Sequence, residues 1–213
     1  MQRHNRYNFY MDKDYDTLQN FMSYYNQFSI VKKYSLGTIL EVGKGNGTLS
    51  RYLSDHGYDV KTCDYDKKLK PDIVSDVRKM HIKDGSFDTV LAFEVLEHIP
   101  FSDFRKALLE LKRVSRKKLI ISVPYSTFNI YGRLKIIPFT RPRDFLIRIC
   151  EMSIFRHTYN GLHYWEMGKK GTTRKEIKKI LSDSGLKITH EFSDRQNPYH
   201  YFFVMDNLIE KSR

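Results

Sequence analysis

The chain is poor in the features that mark secreted and membrane-spanning proteins. It has two cysteines, Cys63 and Cys150, among 213 residues. They form neither a disulfide framework nor a close-spaced metal pair, and both sit in apolar settings. They read as reduced core or lid residues of a cytoplasmic protein. No run reaches the roughly 18 apolar residues of a membrane-spanning helix. The opening MQRHNRYNFYMDKDYD has no apolar stretch of signal-peptide type. Internal repeats and low-complexity tracts are absent too. Acidic residues are outnumbered, 25 against 37 Lys and Arg, for a formal net charge of +12.

Apolar side chains, by contrast, are plentiful. Hydrophobic residues make up 40 % of the chain, enough for one domain with a buried core. There are 15 Tyr and 14 Phe, a supply that suits a substrate pocket as well as a core. The basic excess is local: residues 125–179 hold twelve Lys or Arg against four Asp or Glu. Such a region suits phosphate, an acidic sugar, nucleic acid or anionic lipid, or is simply a solvated basic surface.

Helical spacing of Leu18, Phe21, Met22, Tyr25 and Phe28 predicts an N-terminal helix over 16–33, with Asp16 as its cap. From Thr38 the pattern alternates. Strands are expected at Ile39–Val42, Asp59–Cys63, Asp72–Ser75, Phe87–Phe93 and Leu119–Val123. Helices are expected at Gly47–Ser54 and around Phe104, Ala107, Leu108 and Leu111. Alternating strands and helices predict a parallel sheet covered on both faces. Beyond Pro124 the chain is aromatic and basic, and a helix is expected at Arg143–Phe155. Thr173 and Glu176 form a capping box for a last helix, ended by Gly185. Lys187–Phe192 and Tyr199–Met205 are expected to pair as an antiparallel edge.

Chemistry gathers after the first strand, in Ile39-Leu-Glu-Val-Gly-Lys-Gly-Asn-Gly47. Gly43, Gly45 and Gly47 let the backbone turn tightly and approach a ligand. The spacing Gly-x-Gly-x-Gly puts Thr48 where a dinucleotide fingerprint carries its third glycine, which disfavours nicotinamide and flavin cofactors. Glu41 would repel pyrophosphate but accepts bonds from an amino-acid ammonium, directly or through water. Asp64, at the end of the second strand, suits the two ribose hydroxyls, and Tyr65 an adenine ring. Asp64 is preferred to Asp66 because it directly follows the apolar run. Asp76 can accept from an adenine amino group while the next amide, of Val77, reaches a ring nitrogen. Phe93 and Glu94 end the fourth strand over the same place.

In order and spacing, residues 37–124 resemble the class I S-adenosylmethionine-dependent methyltransferases, in the broad group that includes small-molecule and quinone methyltransferases. The phrases His163-Tyr-Trp-Glu-Met-Gly168 and Asn197-Pro-Tyr-His-Tyr-Phe-Phe203 resemble an uncharacterised microbial subgroup. The resemblance implies an α/β, Rossmann-like fold: a seven-stranded, mostly parallel sheet with an antiparallel terminal hairpin, plus the N-terminal helix and a helical lid insertion. It implies one methyltransferase domain over 1–213, divided into a helical cap (1–36), a cofactor-binding core (37–124), a lid (125–168), and the last helix with the terminal strand pair (169–207). It also implies S-adenosylmethionine as cofactor and S-adenosylhomocysteine as product. Glu41, Gly43, Gly45 and Gly47 would then hold the methionine part, with Lys44 and Asn46 in the variable loop positions. Asp64 would hold ribose, and Asp76 with Val77 would read adenine.

Methyl transfer needs an acceptor in line with the methyl and often a base. His163 is the first candidate base and His98 the second, with His157 and His200 behind them. The Glu94-x-x-Glu97-His98 pattern is similar to a metal-binding cluster of RNA-end methyltransferases, but such Glu-His pairs are common elsewhere, and no metal is expected. A mixture of Ile136, Ile137, Phe139, Phe145, Leu146, Ile149 and Cys150 with Arg133, Lys135, Arg141, Arg143 and Arg148 predicts an amphipathic basic lid. It would cover its own domain, clamp an anionic or lipid-linked substrate, or rest peripherally on an anionic membrane. The expected reaction is O-methylation of a small molecule or a glycan or lipid-linked precursor. RNA methylation, prompted by charge alone, and a non-catalytic cofactor-binding module are the alternatives.

Overall fold

The computed structural model describes residues 6–135, 138, 141, 143–193, 195 and 197–207. Five strands lie parallel: β1 (Ile39–Val42), β2 (Val60–Asp64), β3 (Ile73–Val74), β4 (Phe87–Phe93) and β5 (Ser115–Pro124). The two terminal strands, β8 (Leu186–Ser193) and β9 (His200–Asn207), complete a seven-stranded sheet in the order β3-β2-β1-β4-β5-β9-β8. β9 runs antiparallel to both neighbours. Strand order reverses between β1 and β4, which opens a crevice at their C-terminal ends, where open α/β sheets bind ligands.

Burial on both faces explains the apolar runs that gave the strands away: all of β1 and residues 88–92 of β4 are buried. Helix α4 (Phe101–Val114) packs Phe104, Leu108 and Leu111 on one face, joined by Trp165, Ile177 and Leu181. Helices α2 (Leu18–Tyr34) and α3 (Thr48–Asp55) cover the other with Ile30, Val31, Leu49 and Leu53. Helix α5 (Arg174–Asp183) starts at the expected capping box: Thr173 N donates to Glu176 Oε2 at 2.7 Å, and Glu176 N to Thr173 Oγ1 at 3.3 Å.

Two expectations fail. The cap of α2 is Thr17, whose Oγ1 accepts from Asn20 N at 3.3 Å. Asp16 instead accepts from Asn46 Nδ2 at 3.2 Å and from Tyr24 Oη at 3.3 Å. Moreover, three members of the expected apolar row, Leu18, Phe21 and Tyr25, are exposed, while Phe28 packs against the core. The buried row is polar at its first half, Ser23 and Gln27, because Ser23 meets the ring of His200 at 2.9 Å and Gln27 Nε2 donates to Ser23 Oγ at 3.1 Å.

The lid is not helical. Residues Arg143–Glu151 form β7, antiparallel to β6 (Thr127–Leu134), with Ile130 opposite Ile147 and Gly132 opposite Phe145. Phe145, Ile147 and Ile149 share an i, i+2 spacing, and two of them are β-branched, so strand pairing wins over the overlapping helical spacing. The Phe145 ring lies over Gly132, where a Cβ would come within 2.3 Å of it. Ile136, Ile137 and Phe139 lie outside the described residues. Arg148 faces the domain, its guanidinium 4.7 Å from the Tyr125 ring and Nη2 donating to Ser193 Oγ at 2.6 Å.

The chain after the hairpin is pinned by Trp165, which is buried against Phe101 and Phe104 and donates Nε1–H to the Leu96 carbonyl at 3.0 Å. Trp165→Ala is expected to lower unfolding free energy by about 3–5 kcal/mol. Chemical denaturation measures this. A loss below about 1 kcal/mol would show that the indole is not part of the cooperative core.

Candidate active site

The glycine loop follows β1 directly, and all three of its glycines have positive φ: 84° at Gly43, 53° at Gly45 and 75° at Gly47. Their roles differ. A Cβ on Gly43 would stand 2.3 Å from Val95 Cγ2, so this glycine is fixed by packing between strands. A Cβ on Gly45 would meet only the Tyr10 ring, at 3.8 Å, so Gly45 is the one open to close approach from outside the sheet. Lys44 and Asn46 commit their side chains to loop shape. Lys44 Nζ donates to the Lys70 carbonyl at 2.6 Å, and Asn46 Oδ1 accepts from Thr48 N at 3.0 Å at the start of α3.

Glu41, in the middle of β1, is buried, and its Oε2 has no hydrogen-bond partner. Burial, opposed by the Ser50 hydroxyl and by Lys44, pushes its carboxyl up to about 8. A buried carboxylate oxygen with no donor is a poor structural element but suits an ammonium ligand. Asp64 ends β2, buried, and its Oδ1 accepts from Asp66 N at 2.9 Å. Asp66 spends its own Oδ1 on Lys68 N, capping a short 3₁₀ turn, which leaves Asp64 as the acid at the strand end. Tyr65 beside it is exposed.

Asp76 departs from the expected picture. Both its oxygens accept from Arg78: Oδ1 from Nε at 2.9 Å and Oδ2 from Nη2 at 2.7 Å. These hydrogen bonds hold its carboxyl below the usual range. An adenine amino group would have to share oxygens already used. The neighbouring Val77 is buried.

At the end of β4, Phe93 is edge-on to Phe202, with ring centroids 6.0 Å apart. Glu94 has φ 53°, a strained angle for a residue with a Cβ. It is held there by Ser122, whose backbone carbonyl and Oγ both accept from Glu94 N and whose hydroxyl donates to Oε1 at 2.7 Å. His200 Nε2 stands 3.6 Å from its other oxygen.

The two candidate bases come together although 65 positions separate them: the rings of His98 and His163 have centroids 5.3 Å apart. His98 Nδ1 lies 3.0 Å from the Leu162 carbonyl, which can only accept, so Nδ1 carries the proton. His163 Nδ1 lies 3.3 Å from Glu166 Oε1. Glu166 was not among the expected site residues, yet it is the hub. It also accepts from Tyr199 Oη at 2.9 Å and from the Ser126 hydroxyl. Burial pushes its carboxyl up, but the bonds from His163, Ser126 and Tyr199 outweigh this and bring it down to about 2. Nothing in the sequence marks it beyond its place three residues after His163. His157 instead pairs its Nε2 with the His163 carbonyl at 3.0 Å, a framework role. Among the described residues, Glu97, His98 and His163 form the group able to hold a metal ion, their ligand atoms lying within 4.8 Å of one another.

The topology and the loop between β1 and α3 now have a counterpart. Residues 40–121 match the model of a methyltransferase domain family. The fold is the one shared by solved S-adenosylmethionine-dependent methyltransferases. Solved structures share the fold at low identity. A methyltransferase from Methanosarcina mazei has a TM-score of 0.55 at 19 % identity, covering 85 % of this chain and 98 % of that one. The magnesium protoporphyrin IX methyltransferase of Synechocystis, solved with S-adenosylmethionine, has 0.58 at 16 %, covering 94 % and 89 %. The 1,6-didemethyltoxoflavin-N1-methyltransferase of Burkholderia thailandensis, solved with S-adenosylhomocysteine, has 0.54 at 11 %, covering 87 % and 84 %. No curated protein sequence matches the chain. Glu41 with the open face at Gly45 fits the amino-acid end of S-adenosylmethionine.

Glu41 gives the first test. Its folded pKa, about 8, lies above the ordinary 4.5, so between those values the folded protein holds the extra proton. Stability of the protein alone is therefore lost as pH rises through this window. An ammonium ligand favours the carboxylate, so S-adenosylhomocysteine is expected to raise the melting temperature more at about pH 8 than at about pH 6. Glu41→Gln is expected to remove that difference. A pH-independent ligand shift in the unmutated protein would take Glu41 out of the site. Separately, Asp64→Ala is expected to weaken S-adenosylhomocysteine binding by roughly 1.5–3 kcal/mol in calorimetry, and unchanged affinity in a folded variant would remove Asp64 from ribose recognition.

Proposed function

We propose that the enzyme methylates a hydroxyl oxygen of a small, anionic acceptor, either a free small molecule or a glycan or lipid-linked precursor, with His163 as the proton acceptor. The observation that carries this reading is the His163–Glu166 pair. The Glu166 carboxylate accepts a hydrogen bond from Nδ1–H, so the lone pair of the neutral ring is on Nε2. The same carboxylate stabilises the imidazolium that forms when that lone pair accepts a proton. His98, oriented by the Leu162 carbonyl and with Nε2 3.9 Å from Glu97 Oε1, is the reserve base.

Toward the cofactor, Glu41 and the backbone of Gly43–Gly47 would hold the methionine part, and Asp64 the ribose. Tyr65 and Val77 would flank adenine, with Asp76 contributing only through oxygens shared with Arg78. Phe93 and Glu94 would wall the methyl side. Bound S-adenosylmethionine supplies an electrophilic methyl carbon on a positively charged sulfur. The protein's part is to place the acceptor oxygen in line with it and to take the proton. The basic surplus of residues 125–179 supports an anionic acceptor.

The test is a transfer assay with labelled S-adenosylmethionine against fractionated cell extract, followed by kinetics on the labelled acceptor. His163→Ala is expected to cut kcat by about 10²–10⁴ while cofactor affinity stays within about twofold. Glu166→Gln, acting through His163, is expected to lower kcat and shift the acidic limb of its pH profile. Turnover is expected to survive chelation. Loss of turnover on chelation, restored by a divalent ion, would recast His98 and His163 as ligands rather than bases. Label on nitrogen or carbon would overturn the oxygen assignment.

A further inference from the structure

The β6–β7 hairpin presents its two faces to different surroundings. One face is fastened to the domain. Arg148 is clamped between Tyr125 and Tyr201, at 4.7 and 5.6 Å, and bonded to Ser193. Asn129 and Leu146 on the same face are half-buried. The other face carries Phe128, Ile130, Leu134, Phe145, Ile147 and Ile149, and each of these is 46–62 % exposed. Immediately beyond β7, Ile154 is 80 % exposed. A two-stranded sheet on a domain surface normally turns its polar side to water. Here Arg148 on one side is spent on anchoring, and a contiguous apolar face is turned to solvent. Patches of this kind mark contact surfaces.

Charge narrows the occupant. Lys135 and Arg141, between β6 and β7, and Arg143 at the start of β7 are all exposed. The acid among the described residues of the two strands before Glu151 is Asp144, which is taken up by Arg133 Nε at 2.7 Å and by Tyr131 Oη at 2.9 Å. Apolar side chains beside uncompensated cations complement a bilayer, with hydrocarbon below and anionic headgroups above. We infer that the outward face of this hairpin docks the enzyme on an anionic lipid bilayer, with Ile130, Phe145, Ile147 and Ile149 entering the acyl boundary and Lys135, Arg141 and Arg143 meeting the headgroups. Membrane contact would then present the adjoining β5 end of the site to acceptors held at the surface.

Sedimentation of the full chain with phosphatidylcholine vesicles, and with the same vesicles doped with phosphatidylglycerol, tests the docking without reference to methyl transfer. Binding is expected to the doped vesicles at low salt and to weaken as salt screens the headgroups. Lys135→Gln and Arg143→Gln are each expected to lower partitioning about fivefold. The pair Ile147→Ser and Ile149→Ser is expected to lower it at least tenfold at any salt. These side chains support no core, so circular dichroism and cofactor affinity should be unchanged in all three variants. Failure of the folded protein to bind doped vesicles would overturn the docking. Binding untouched by the isoleucine substitutions would do the same, because it would then be a matter of charge alone. A dimer that Ile147→Ser dissociates, with no vesicle binding, would assign the face to a second copy of the chain instead.

Discussion

Glu41 is the constraint around which the β1 end of the crevice is arranged. A carboxyl group placed in the middle of a central, doubly covered strand is costly unless something nearby rewards its ionised form. The cost is borne by the sheet on either side: β2 and β4 pair with every residue of β1, so the strand cannot shift to bring Glu41 to water. Gly43 follows at a point where any side chain would strike Val95. The chain must therefore turn where it does, and the open backbone of Gly45 comes beside the acid. Local order at the loop and chemical suitability for an amino-acid ligand are consequences of one arrangement.

The acceptor end is built by a different logic. Its groups come from the end of β4, the segment before α5 and the start of β9, and hydrogen bonds rather than backbone turns hold them. Glu166 is central because it is the acid that ties His163, Tyr199 and Ser126 into one cluster. Glu94, at the end of β4, faces His200, which meets Ser23 of the N-terminal helix. This explains why α2 buries Ser23 and Gln27 and turns aromatic side chains outward.

Legibility in the sequence follows the range of the interactions. Strands β1, β4 and β5 were readable because double-sided burial demands apolar runs, and the capping box of α5 because it spans three residues. Glu41, the glycines and Asp64 were readable for the same reason: each sits at a fixed offset from a strand end. The face of α2 was not readable. Its orientation is decided by His200, far along the chain, and by Asn46, which competes for Asp16. The hairpin was misread as a helix because Phe145 and Ile149 fit an i, i+4 spacing, and only pairing with β6 decides between the two periods. Glu166 was missed because an acid three places from a histidine carries no mark of the fold that brings Tyr199 and Ser126 to it.

The same contrast bears on what varies among enzymes of this fold. A cofactor site made of a strand, its following turn and the next strand end can persist at low identity, because each part is specified locally. An acceptor site assembled from distant segments can be rebuilt by altering any one of them. The structural neighbours fit this view: they share the sheet with the chain at 10–19 % identity, yet their names include a protoporphyrin, a glycopeptide and a toxoflavin precursor. Identity of the acceptor therefore has to be sought in the residues between Pro124 and Gly168 and around Tyr199. There the aromatic and basic surplus of this chain is concentrated, and there Glu166 fixes the protonation state of the ring that would meet the acceptor.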